Sequence, residues 1–141
     1  MSRLLRGLRV SGGRANPATE NIMNREAPPV VKAMHDLILT WVRHVEHLPR
    51  LHRYTLGSRV TESFLNAQQS ILSGRPSENR LKAIQGAQAD LEMAKYTLRV
   101  LVDIKALPVK KMAHLAGLLV PVEKQLGGWE KQVLKAKASG A

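Results

Sequence analysis

Residues 78–105 read ENRLKAIQGAQADLEMAKYTLRVLVDIK, and this stretch decides the fold. Leu81, Ile84, Ala87, Leu91, Ala94, Leu98 and Leu101 recur at three- and four-residue intervals, the spacing that gathers apolar side chains on one face of a helix. Val102 and Ile104 are read inward with them. At ~1.5 Å per residue such a helix is roughly 40 Å long. Ala106-Leu107 is a link short enough to require an antiparallel neighbour, and Pro108 suits a first helical turn, where its missing N–H costs nothing.

The same period extends outward on both sides. Met112, Leu115, Leu118, Leu119, Val122, Leu126, Trp129 and Val133 share a face of a last helix. Pro121 within it predicts a kink or a local break, and Gly127-Gly128 predicts close backbone contact within or between subunits. Upstream, Val30, Val31, Met34, Leu37, Ile38, Trp41, Val42, Val45 and Leu48 define a first helix from Pro29 to Pro49. Leu56, Val60, Phe64, Ala67, Ile71 and Leu72 define a second, stopped by Gly74 and Pro76, with Ser77 as N-cap and Glu78 complementing the dipole of the third. No strand-like alternation and no internal repeat interrupts this pattern. The expected fold is all-α: an antiparallel, up-down-up-down four-helix bundle over residues 27–137. A basic arm at 1–26 precedes it, with Arg3, Arg6, Arg9, Arg14 and Arg25 against Glu20 and Glu26, and a short tail follows at 138–141.

Charge narrows the function. Twenty-two Lys+Arg against eleven Asp+Glu leave +11 on 141 residues, and neutralising phosphates with release of counterions is the main physical reward for such an excess. Chain length suffices for a real core without metal or disulfide staples, and the chain has no cysteine, which agrees with a reducing, cytoplasmic setting. The longest apolar runs, such as Leu118-Leu119-Val120-Pro121-Val122, are far below the roughly 20 residues that span a bilayer, so no membrane partner is expected.

Chemistry finds little footing. His44 and His47 lie one turn apart, but Glu46 points elsewhere and His52 follows Pro49, so a solvated basic face is the better reading than a metal site. The paired Glu-x-x-His motifs of helical di-metal sites are missing. The HEPN-type ribonuclease motif needs four to six residues between Arg and His, and three separate Arg43 from His47. Without a nucleophilic cysteine, a glycine-rich phosphate loop or paired inward carboxylates, no catalytic residue and no cofactor is expected.

Basic residues remain as the candidate site. Lys95 and Arg99 are spaced i, i+4 on the third helix, with local ion pairs Glu92 to Lys95 and Arg99 to Asp103 as the alternative reading. Arg50, Arg53 and Arg59, with His52, meet no acid until Glu62, and Lys105, Lys110 and Lys111 cluster about the last link. Trp41 and Trp129 both fall on core stripes, so recognition of backbone and shape is expected, with little base stacking.

Leu48-Pro49-Arg50, His52-Arg53-Tyr54-Thr55-Leu56-Gly57, the helix ending Leu98-Arg99-Val100-Leu101, and Leu126-Gly127-Gly128-Trp129 together resemble the Avd accessory proteins of bacterial and phage diversity-generating retroelements. These belong with the four-helix-bundle proteins encoded in intervening sequences of ribosomal RNA genes. The resemblance covers about residues 29–135. It implies a barrel-like homopentamer with a basic surface that binds the element's reverse transcriptase and its template RNA and cDNA in mutagenic retrohoming, without catalysis of its own. It also implies basic residues where Lys95 and Arg99 stand, and a helix former where Pro121 stands. Two alternatives remain at this point: a free-standing pentameric RNA-binding bundle and a helical ribonuclease.

Overall fold

The computed structural model describes residues 29–74 and 79–140. Four long helices, α1 (Pro29–Val45), α2 (Leu56–Ser73), α3 (Arg80–Asp103) and α4 (Val109–Ala138), alternate in direction, with a single helical turn at Arg50–Arg53 between the first two. Each helix packs against its two neighbours, α1 on α2 and α4, and α3 on α2 and α4. No strand occurs among the described residues, and none of their helices is long and apolar enough to cross a membrane. The arm at 1–26 and the Ser77 cap lie outside the described residues.

Trp41, Phe64, Met34, Leu37, Ile71, Ile84, Leu91, Leu98, Leu101, Leu115 and Leu126 fill the core. Trp41 meets Phe64 edge-on, centroids 6.3 Å apart, and its indole N–H donates to Thr61 Oγ1 at 2.8 Å. Thr61 in turn donates to the Gly57 carbonyl at 3.1 Å. A buried indole nitrogen needs such a partner, and this one ties α1 to the first turn of α2. Gln68 makes a second tie, donating to the Val31 carbonyl at 3.0 Å.

Helix ends depart from the apolar repeat in ways that follow from backbone chemistry. α1 stops at Val45, four residues before Pro49, because Pro49 has no N–H for the Val45 carbonyl and disfavours helical geometry at Leu48. The Leu48 amide takes that carbonyl instead, at 3.1 Å, in a tight turn. Gly57 lies where the chain re-enters the bundle: a Cβ there would sit 3.0 Å from Val45 Cγ2 and 3.2 Å from the His52 carbonyl. At Gly74 a Cβ would come within 2.5 Å of Ala83 Cβ, so the α2 to α3 crossing also needs a bare backbone.

Three expected core residues are instead largely exposed: Val42 at 46%, Leu72 at 44% and Ile104 at 46%. Val42 and Leu72 each stand one residue round from a buried neighbour, Trp41 and Ile71, at the margin of the stripe. Ile104 lies past Asp103, where helical periodicity has ended. Trp129 is half-buried, packed on the core with the Arg80 guanidinium 5.8 Å from its ring centre.

The break considered at Pro121 does not occur, since α4 runs uninterrupted from Val109 to Ala138. Pro121 is exposed, and so is Gly117, whose carbonyl loses its helical donor there and can be hydrated. Leu119 and Val122 hold the flanking turns in the core. Close backbone contact at Gly127-Gly128 does not occur within the chain either, because a Cβ on either glycine would find nothing within 4 Å.

α3 ends in a Schellman motif. The Ala106 amide reaches the Leu101 carbonyl at 2.9 Å and the Lys105 amide the Val102 carbonyl at 2.9 Å, with Lys105 left-handed at φ 62°. An L-residue is disfavoured there by ~1–2 kcal/mol, against ~0.5–1 kcal/mol of extra chain entropy for glycine. Lys105→Gly is therefore expected to stabilise the bundle by about 0.5–1 kcal/mol in urea unfolding, while removing one cation from the surface. An unchanged or lower midpoint would contradict the strain.

Candidate nucleic-acid interface

Lys95 and Arg99 have different surroundings. Lys95 Nζ lies 2.9 Å from Glu92 and 2.8 Å from Glu123 across on α4. Hydrogen bonds to Glu123 and then Glu92 hold its ammonium above its ordinary pKa, against the opposing pull of burial. Its charge is thus engaged within the protein as a clamp between α3 and α4. Arg99 is 78% exposed and only loosely paired with Asp103, at 3.8 Å. The local pairs read from sequence are both present, and Glu123, 28 residues from Lys95, is the partner that local spacing did not reveal.

The alternating topology brings the other two basic groups together. The α1 to α2 connector and the α3 to α4 link occupy the same end of the bundle, so Arg50, Arg53 and Arg59 share that pole with Lys105, Lys110 and Lys111. Arg50, Arg59, Lys105 and Lys110 are exposed, and Arg53 and Lys111 are half-buried. None of the six is ion-paired among the described residues. Arg53 donates through Nη2 to the Leu48 carbonyl at 3.2 Å, which braces the connector.

His44 and His114 join the two groups at this end, their rings 6.0 Å apart and nearly perpendicular. His44 Nε2 is shielded from solvent without a hydrogen-bond partner. Burial first, then Lys111, His114 and His47, hold its imidazole below the ordinary histidine pKa. Its folded pKa being the lower one, the unfolded chain binds the proton more readily. The associated stability is complete above about pH 6.5 and is lost as pH falls through the depressed folded value. The urea midpoint is expected to fall between pH 7.5 and 5, and to fall less in His44→Phe, which keeps the ring contact without the titration. Equal falls would contradict this.

Among the described residues no group of three or more His, Asp or Glu side chains is placed to hold a metal ion. The arrangement offers cations that have no ion-pair partner among the described residues, gathered at one end of the bundle, where they can accept phosphates.

A family model described as bAvd-like matches residues 30–133. The chain belongs to that family. The bAvd-like match begins one residue into α1 and ends inside α4, so its extent is that of the bundle, and the basic arm lies outside it. No curated protein and no solved structure matches the chain. Within this bAvd-like chain the motifs that carried the resemblance have structural work. Leu48 through Gly57 forms the turn that presents the basic connector, and Leu126 and Trp129 anchor α4 to the core.

Proposed function

We propose that this bAvd-like protein is a non-catalytic accessory factor of a diversity-generating retroelement, binding the reverse transcriptase and its template RNA and cDNA as a homopentamer. The observation that carries the reading is the basic pole. Two cation groups distant in sequence converge at one end of the bundle, without ion-pair partners among the described residues, in a chain of net charge +11. Arg50, Arg53, Arg59, Lys105, Lys110 and Lys111 make the phosphate contacts, with Arg99 on the adjoining helix and Lys95 mainly structural. A ring repeats this pole five times, so template and enzyme are held at high effective concentration for one another. The outward-facing Gly127-Gly128 surface, bare within the chain, is available for contact between subunits.

Sedimentation of the full chain tests the reading. Five copies of 15.6 kDa are expected to sediment together at about 78 kDa, and to shift to a heavier species with cognate reverse transcriptase and template RNA. A monomer that ignores the enzyme would refute it. A pentamer that binds RNA but never the enzyme would favour the free-standing RNA-binding bundle.

A further inference from the structure

We propose that the basic pole takes a single strand of nucleic acid, with a base stacked on Tyr54. The proposal rests on the polyanion reading above and adds to it the form of the ligand. Low aromatic content and two tryptophans on core stripes lead the sequence to an expectation of little base stacking, and Trp41 is indeed buried. Tyr54, however, is 70% exposed and stands in the middle of the basic connector. It caps the turn Arg50–Arg53, so Arg50, Arg53 and Tyr54 follow at helical i, i+3 and i+4 spacing on one side of that turn.

The ring is held for the task. The Arg53 guanidinium carbon lies 5.9 Å from the ring centre, and Arg53 is itself fixed to the Leu48 carbonyl. Gly57 is packed closely beneath Val45 and Leu48, which seats the turn on the bundle. One side of the phenol ring thus meets a braced cation, and most of its surface is open. A base stacked there would leave its phosphates near Arg50 and Arg59, whereas the bases of a duplex are already stacked on one another and cannot reach the ring. Glu46 and Glu62 line a groove beside Tyr54 together with Arg53, and their carboxylates disfavour phosphate along that groove.

The test compares wild type, Tyr54→Ala and Tyr54→Phe for binding a labelled 20-nucleotide single-stranded RNA and a duplex of equal length at low salt, with mass checked by light scattering. Tyr54→Ala is expected to lose about tenfold in single-strand affinity, Tyr54→Phe to keep it, and duplex affinity and mass to stay unchanged. Unchanged single-strand affinity in Tyr54→Ala overturns the proposal. So does an equal loss for both ligands, which makes Tyr54 a support for the cations and not a stacking platform, or a change of mass, which makes it a contact between subunits. If wild type binds neither ligand, the polyanion reading itself falls.

Discussion

Arg50→Glu, Arg59→Glu and Lys110→Glu in one chain are expected to lower affinity for single-stranded RNA by roughly a hundredfold at 0.1 M salt. The three side chains are exposed and come from both halves of the pole, so the change samples the convergence and leaves the core alone. Each phosphate contact contributes about 0.7 to the logarithmic salt slope on single strands, so losing three should flatten it by about 2. Helical circular dichroism should not change. Lys95→Gln in the same assay should cost far less affinity, because Glu92 and Glu123 already neutralise that ammonium. The reverse ranking, a large loss from Lys95→Gln and none from the triple variant, would move the interface to the side of α3.

Trp41→Ala is expected to cost about 3–5 kcal/mol in urea unfolding, a large part of the ~5–15 kcal/mol that holds a domain of this size. Trp41 is fully buried, so truncation empties an indole-sized space between α1 and α2. The edge-on contact with Phe64 goes, as does the bond to Thr61. Trp41→Phe should cost less, since it keeps a ring against Phe64. The loss reaches the surface because Thr61 links Trp41 to Gly57, the residue on which the basic connector turns. A cost of Trp41→Ala below ~1 kcal/mol would mean that the α1 to α2 seam is looser than its burial indicates.

Helix number and order were legible because the apolar residues keep a three-and-four rhythm that proline and glycine punctuate. Ala87, Leu91, Ala94, Leu98 and Leu101 are all buried, as their spacing requires. Edges of the stripes were less legible, since Val42 and Leu72 are apolar yet stand one residue outside the seam that packing selects. At Pro121 the alternative of a break fails because what a helical proline does depends on whether the freed carbonyl meets water, a matter of which face it occupies.

The candidate site was legible as a list of cations but not as a place. Arg50 and Lys110 are neighbours only through the bundle's alternation, and the Lys95 to Glu123 clamp joins different helices, beyond any i, i+4 rule. His44 was read as solvated because its partner ring, His114, is 70 positions downstream. Tyr54 escaped because composition counts aromatics without saying which are exposed.

A protein that holds template and enzyme together without chemistry of its own, as proposed, should govern how much cDNA the enzyme makes. The most direct measurement is cDNA yield from the cognate reverse transcriptase and template RNA, with no added protein, with wild type, and with the Arg50, Arg59 and Lys110 charge-reversed chain. Synthesis is expected with wild type, little without it, and little with the charge-reversed chain even though that chain keeps its assembly mass. Equal yields in all three reactions, or RNA cleavage by the purified protein alone, would contradict it.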